Sequence, residues 1–207
     1  EFITLTEHEM IQEYLSSIKQ CDVIHLNWMC YGDNGKVGYE RGNIVERFSR
    51  PWKYNVYYGS SRLENSHVKS IIKNGLCLDW TYEKGGWESN PHTPYGNFRV
   101  GNSIGEQIEN SPFSEICYKK AYIRHYATKT IEEYAIKVAR QCADCNVTIY
   151  DFPKFFRVNS ITFGKMLWLK KHHPYINLWD CVREHIKFFV LNNGLPLKFL
   201  FRSLKKK

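Results

Sequence analysis

The stretch YKKAYIRHYATKTIEEYAIKVARQ, residues 118–141, decides the predicted fold class because it joins a strand directly to a capped helix. Tyr118 to Tyr126 has the character of a strand. Thr130 and Glu133 form a capping box, in which each side chain can satisfy a backbone N–H, and this predicts a helix over about 131–141. A strand that leads into a helix is typical of α/β proteins, which place ligands where such a strand ends.

The residues before this stretch predict further elements of an α/β domain. Thr6 and Glu9 indicate another capping box, which would open an amphipathic helix over 7–19. The opening residues 1–5 resemble the end of a strand, residues 23–31 a buried strand, and residues 67–73 a third strand. We therefore predict an α/β domain over residues 1–153.

The charge of the chain is unevenly divided. The net charge is +8, yet residues 154–207 hold twelve Lys or Arg against two acidic residues. We expect this part to be a basic helical segment, with a helix over about 161–171 capped by Ser160 and another over about 175–192. Apolar residues beside cations suit an anionic membrane surface, where each cation contributes about 1 kcal/mol. A solvated basic tail and a nucleic-acid-binding tail are the alternatives.

The composition excludes several protein classes. The 207 residues are 43% hydrophobic, 24% charged and 15% aromatic, which is too aromatic for a disordered chain. No apolar run reaches the roughly 18 residues that span a bilayer, and no basic-then-apolar leader opens the sequence. We therefore expect neither a transmembrane helix nor a signal peptide, and seven cysteines without a secretion signal favour reduced thiols in a cytosol.

Cys142 and Cys145 form a single CxxC motif. It is compatible with structural thiols, or with half of a zinc site to which His172 and His173 could contribute. A redox pair is a third interpretation, although such a pair normally opens a helix after a strand, and this one follows a predicted helix.

His125 is the leading candidate for chemistry. It ends a predicted strand just before a helix start, where free N–H groups attract phosphate, and Arg124 and Lys129 add positive charge. An imidazole is also a good ligand for a divalent metal. The alternative is a structural histidine held by hydrogen bonds.

Three other groups are weaker candidates when each is taken alone. Trp28 precedes a turn that carries Asp33, so an aromatic face for a sugar ring would lie near a carboxylate able to accept a hydroxyl proton. Glu46 and Arg47 could equally form a surface ion pair. Lys69 and His92 are the third group, and His92 lies in a loop stiffened by prolines.

Taken in order, these segments resemble the C-terminal half of a GT-A-type glycosyltransferase of the family 2 and family 92-like group. In that pattern Asp-x-Asp runs into Glu-Phe, a Trp strand reaches an aromatic-Gly-x-x-Gly turn, and Glu-Arg-Phe, Lys-Ser-Ile, Pro-His and His-Tyr-x-Thr-Lys-Ser segments follow. The matching residues are Glu1-Phe2-Ile3, Trp28, Tyr31, Gly32, Gly35, Glu46-Arg47-Phe48, Lys69-Ser70-Ile71, Pro91-His92, His125 to Thr130, and Glu132-Glu133-Tyr134. The resemblance covers about residues 1–140. The chain departs from the pattern at Arg124, where Asn is usual, and at Thr130, where Ser is usual, and the Asp-x-Asp would stand before Glu1.

The resemblance implies a partial GT-A fold that lacks its N-terminal nucleotide-binding half and carries a helical C-terminal appendage. It implies an enzyme that transfers a sugar from a nucleotide-sugar to a hydroxyl of a glycan or lipid-linked acceptor, in cell-surface polysaccharide synthesis. A divalent cation, Mn or Mg, would neutralise the leaving diphosphate. The fragment alone is expected to be inactive. A cytoplasmic location with peripheral contact at the inner face of the membrane, and no nucleic-acid partner, follows from the same interpretation.

The resemblance also assigns roles to individual residues. His125 would be a metal ligand, and Asp33 or Glu46 would be the general base. The substrate-binding residues would be Trp28, Gly32, Gly35, Arg47, Lys69, His92 and Lys129. A non-catalytic glycan- or membrane-binding module is the competing hypothesis, which the aromatic content and the basic tail also fit.

Overall fold

A computed structural model describes residues 1–52, 57–58, 62–76, 92–94, 96–140 and 151–192. The chain is a mixed α/β protein that divides into two compact units. Residues 1–30 and 57–125 form unit 1, and residues 31–56 and 126–207 form unit 2. The predicted boundary after residue 153 stays a prediction. Pro91, Cys142, Cys145 and the basic tail over 195–207 lie outside the described residues.

Strands and helices are mixed up to residue 140, with five described strands in succession between residues 57 and 125, and the elements described over residues 151–192 are all helices. The strands are β1 (Phe2–Leu5), β2 (Val23–Cys30), β3 (Tyr57–Tyr58), β4 (Arg62–Leu63), β5 (Val68–Ile72), β6 (Val100–Gly101) and β7 (Ala121–His125). The helices are α1 (Ile11–Ser16), α2 (Ile44–Arg47), α3 (Ile131–Arg140), α4 (Phe152–Val158), α5 (Phe163–His172) and α6 (Leu178–Asn192), with a short 3-10 turn over Glu64–Ser66. Among these described helices, none combines the length and apolar character that crossing a bilayer requires.

Unit 1 is built on a mixed sheet in which β2 is central. The described strands run in the order β1-β7-β2-β5, and β6 also pairs with β2. β7 is parallel to β2 and antiparallel to β1, while β5 is antiparallel to β2. Nearly every residue of β2 is buried, as its apolar run predicts. Because β2 and β7 are parallel, their last residues, Cys30 and His125, lie opposite each other at one edge of the sheet.

The predicted capping box at Thr6 and Glu9 is wrong. The backbone N–H of Thr6 donates to the carbonyl of Lys120 at 2.8 Å, so Thr6 prolongs the pairing of β1 with β7. The helix begins only at Ile11, and the side chain of its N-cap residue, Met10, makes no capping hydrogen bond. Pairing in the sheet satisfies the Thr6 backbone before a helix can begin.

The second capping box, at the start of α3, is confirmed. The N–H of Glu133 donates to the Thr130 hydroxyl at 3.1 Å, and the Thr130 N–H donates back to the Glu133 carboxylate at 3.4 Å. Helix α3 then runs from Ile131 to Arg140, close to the predicted 131–141. This helix is specified locally, by residues within its own first turn.

The C-terminal helices contain one element that the sequence analysis missed. Helix α4 begins after Asp151, whose carboxylate accepts a hydrogen bond from the N–H of Lys154 at 2.7 Å, and Pro153 occupies its first turn. Both features are helix-start signals. Helix α5 is capped by Thr162. The prediction that Ser160 caps this helix is therefore wrong. The last helix begins at Leu178, later than the predicted 175, and α4 to α6 contribute much of a core made by Ile131, Tyr134, Phe152, Phe155, Phe156, Leu169 and Cys181.

His25, in the middle of β2, is a fully buried histidine. Its side chain is 0% exposed, and neither ring nitrogen has a hydrogen-bond partner within the described residues. Burial disfavours the charged imidazolium and lowers the pKa of His25 from its usual 6.5 to about 4. The protein therefore holds a neutral imidazole inside the sheet at neutral pH.

Replacing His25 by leucine is expected to reduce the loss of stability on acidification. Below pH 6.5 His25 binds a proton in the unfolded chain, whereas in the folded chain it stays neutral down to about pH 4. The free energy of unfolding therefore falls as the pH is lowered over this window. The loss from this one residue is about 2 to 3 kcal/mol between pH 7 and pH 4.5. Urea denaturation of both proteins at the two pH values measures it, and equal losses in both would contradict the expectation.

Candidate functional site

The last residue of β7 is hydrogen-bonded to the first residue of the chain. Nδ1 of His125 lies 3.1 Å from Oε1 of Glu1, and Nζ of Lys69 lies 3.5 Å from Oε2 of the same carboxylate. The hydrogen bond from His125, followed by the charge of Lys69, lowers the pKa of Glu1 from 4.5 to about 2 against the opposing effect of burial. An ionised carboxylate can accept a hydrogen bond but cannot donate one, so Nδ1 of His125 must carry the proton.

Trp28 stacks on this imidazole and carries a second one on its other face. The ring centroids of Trp28 and His125 are 3.9 Å apart with an angle of 5° between the planes. Those of Trp28 and His67 are 4.6 Å apart at 12°. The indole is only 8% exposed, so neither face is open for a sugar ring, and its stacking fixes the plane of His125.

A third histidine completes the cluster. The His92 ring packs edge-on against Trp28, with centroids 5.5 Å apart. Nδ1 of His92 lies 2.9 Å from the carbonyl of Val68, and Nδ1 of His67 lies 2.9 Å from the carbonyl of Glu64. A carbonyl oxygen requires a donor, so both rings carry a proton on Nδ1, as His125 does. Burial is the main cause that lowers the pKa of His92, which favours its neutral form.

Four side chains of the cluster are at least partly exposed, and His92 is one of them. His125 is 18% exposed, while Lys69 and Glu1 are each about one-third exposed. With Nδ1 protonated, a neutral His125 carries its lone pair on Nε2, which is the tautomer of an imidazole that ligates a metal. Metal-bound histidines commonly donate their other N–H to a carboxylate, as His125 does to Glu1. Among the described residues, no group of three or more His, Cys, Asp or Glu could hold a metal, so the part of the chain described supplies one imidazole with its orienting carboxylate.

Asp33 lies in unit 2 and is held in a buried ion pair. Its carboxylate contacts the ammonium of Lys165, and the two side chains are 4% and 0% exposed. The other carboxylate oxygen accepts the N–H of Gly35 at 2.8 Å, and the backbone N–H of Asp33 donates to the side chain of Asn159 at 2.9 Å. The predicted turn is confirmed, since Asn34 and Gly35 have left-handed φ angles of 53° and 82°.

Arg47 is also part of the scaffold of unit 2, whereas Glu46 faces solvent. The Arg47 guanidinium makes a two-pronged contact with the carboxylate of Glu133, at 2.7 and 3.3 Å, and lies over the rings of Tyr39 and Phe48. Glu46 is exposed on α2. The surface-pair alternative for Glu46-Arg47 therefore fails for Arg47, because Arg47 itself is buried and its partner, which is 14% exposed, lies on another helix.

The predicted site residues are thus divided between the two units. Unit 1 brings together Trp28, Lys69, His92 and His125. Unit 2 contains Gly32, Asp33, Gly35, Glu46, Arg47 and Lys129.

Two members of the unit 1 cluster were missed as site residues by the sequence analysis. The sequence marks Glu1 only as part of the Glu1-Phe2-Ile3 motif, and it marks His67 only as the first residue of a predicted strand. The signal for His67 is its spacing, because residues two apart on a strand share a face and His67 precedes Lys69 by two.

No protein-family model, no curated protein and no solved structure matches this chain.

Proposed function

We propose that this chain is part of a metal-dependent glycosyltransferase that transfers a sugar from a nucleotide-sugar to a hydroxyl of a glycan or lipid-linked acceptor. The observation that carries the proposal is the position of His125 at the carboxyl end of a parallel strand. It is fixed there by the Glu1 carboxylate on one side and by the Trp28 indole on its face. Ligands of α/β proteins bind beyond the carboxyl ends of parallel strands.

His125 is the residue that would hold a divalent cation, Mn or Mg. Such a cation, when bound, neutralises the charge of the leaving diphosphate. Glu1 orients the imidazole and keeps the proton on Nδ1, so that Nε2 is the ligating atom.

Lys69 adds positive charge to the same group of side chains. The Lys69 ammonium lies 3.5 Å from the Glu1 carboxylate, and the Lys69 side chain is one-third exposed. A partly exposed ammonium in this position can also contact a phosphate oxygen. Asp33, one of the two carboxylates predicted as general base, is buried against Lys165, and a carboxylate in that position cannot meet an acceptor hydroxyl.

A non-catalytic glycan-binding module receives less support from the cluster. Such a module would present an open aromatic face to a sugar ring, and both faces of Trp28 are covered by imidazoles. The arrangement instead uses the aromatic ring to hold a histidine in place, which is what a catalytic or metal-binding imidazole requires.

The proposal is tested by metal-dependent turnover of nucleotide-sugars by the full-length protein. We expect release of the nucleoside diphosphate from at least one sugar of a panel of uridine- and guanosine-diphosphate sugars in the presence of Mn or Mg. The release should stop with EDTA and return when metal is added. Failure to bind or turn over any donor of the panel, or turnover that EDTA does not affect, would contradict the proposal.

A further inference from the structure

Large apolar side chains on the outward face of α5 are exposed to solvent. Phe163 is 83% exposed and Leu167 is 57% exposed. They are four residues apart and therefore lie on one face of the helix, which continues through Lys170 and Lys171. Both lysines are exposed.

The opposite face of α5 already serves the core of unit 2. Lys165 and Leu169 are fully buried there, and Met166 and Trp168 pack against the core partly buried. The outward apolar residues are therefore not required for folding. They point away from the part of the helix that the fold uses.

The exposed apolar residues continue past the end of α5. Tyr175, in the connection to α6, is 77% exposed, and Trp179, in the first turn of α6, is 70% exposed. We name Phe163, Leu167, Lys170, Lys171, Tyr175 and Trp179 the α5 surface. Single exposed apolar residues are common, but four large ones within seventeen positions, two of them on one face of α5, favour a binding role for this region.

The charge of this region has one sign. The sequence from 163 to 179 contains no Asp or Glu. The nearest acidic side chains on α6 are already in ion pairs, Asp180 with Arg183 at 2.7 Å and Glu184 with Arg157 at 3.0 Å. A partner for the α5 surface must therefore be anionic and must also accept Phe, Leu, Tyr and Trp side chains.

We propose that the α5 surface docks on a bilayer that contains anionic lipids. Phe163 and Leu167 enter the acyl boundary, Tyr175 and Trp179 lie at the level of the headgroups, and Lys170 and Lys171 contact their phosphates. A soluble polyanion would be attracted by the lysines but would gain nothing from the four apolar side chains. This inference is independent of the proposed function, and it concerns described residues that are distinct from the C-terminal tail.

The test is binding of the full chain to vesicles of phosphatidylcholine with and without 30% phosphatidylglycerol, measured by sedimentation. We expect binding only to the anionic vesicles. The pair Lys170→Gln with Lys171→Gln should weaken it about 30-fold, because each cation near an anionic surface contributes a factor of about five. The pair Phe163→Ser with Leu167→Ser should weaken it by about 10-fold or more.

Met10→Ser is the matched control, because Met10 is an apolar residue of similar exposure, 55%, beside acidic neighbours. It should leave binding unchanged. Vesicles with brominated acyl chains should quench the fluorescence of the chain, and less so in Trp179→Phe. Three results would overturn the proposal: no binding to anionic vesicles, binding that neither pair weakens, or binding to a short RNA that only the lysine pair weakens and that matches the affinity for vesicles.

Discussion

Replacing His125 by alanine is expected to lower kcat/KM of the full-length protein for its nucleotide-sugar by about 100- to 1,000-fold, the usual effect of removing one group that stabilises transition-state charge. The imidazole is held by Glu1 at 3.1 Å and by the stacked Trp28, and alanine offers no ring nitrogen in its place. The measurement is the rate of nucleoside diphosphate release at several metal concentrations.

Two further variants separate this effect from a loss of folding. Glu1→Gln keeps a hydrogen-bond acceptor but removes the charge, and it should weaken metal affinity by about 10- to 100-fold while kcat at saturating metal falls less. His172→Ala removes an exposed histidine of α5 to which no role in donor or metal binding is assigned, and it should have no effect. A folded His125→Ala protein with unchanged kcat/KM would refute the role of His125.

Replacing Lys165 by methionine is expected to destabilise the protein by about 3 to 5 kcal/mol, because it leaves the buried carboxylate of Asp33 without its counter-charge. Both side chains are almost completely buried. The Lys165 ammonium also donates to the carbonyl of Ser160 at 2.7 Å and to its hydroxyl at 3.1 Å, so those acceptors lose their donor as well. Urea denaturation at pH 7 measures the change.

The matched control is the exposed pair of Arg183 and Asp180. Arg183→Met should cost less than about 1 kcal/mol, because both side chains of that pair are well solvated. Combining Lys165→Met with Asp33→Leu should recover much of the lost stability, since removing both charges leaves no unpaired ion. A loss below about 1 kcal/mol in Lys165→Met alone would show that the pair is not buried in solution.

The fold was predictable where short stretches of sequence decide it. The apolar run of β2 and the reciprocal capping of α3 by Thr130 and Glu133 depend on adjacent residues, and both are found as predicted. Thr6 and Glu9 show the same local pattern, yet Thr6 pairs with Lys120 in the sheet. A local helix signal is overridden where a distant strand offers a better partner to the same N–H.

The site was predictable only in part because its contacts are long-range. His125 stood out by its place at the end of a strand, but its partner Glu1 is 124 positions away. His67 becomes part of the cluster only through the ring of Trp28. Asp33 was a reasonable candidate base from its turn, and only the structure shows that Lys165 neutralises it. Pairings of this kind depend on tertiary packing. Hydrophobic periodicity in the sequence predicts secondary structure but not which distant side chains come into contact.

The central claim is that Nε2 of His125 would face the cation of a bound nucleotide-sugar. The most direct measurement is nuclear magnetic resonance of the histidine side chains in the full-length protein while Mn²⁺ is added with a nucleoside diphosphate. We expect the His125 imidazole signals to broaden at lower Mn²⁺ concentrations than those of His25, which lies five residues before Cys30, the β2 partner of His125. Mn²⁺ that supports turnover but leaves the His125 signals as sharp as those of His25 would contradict this claim.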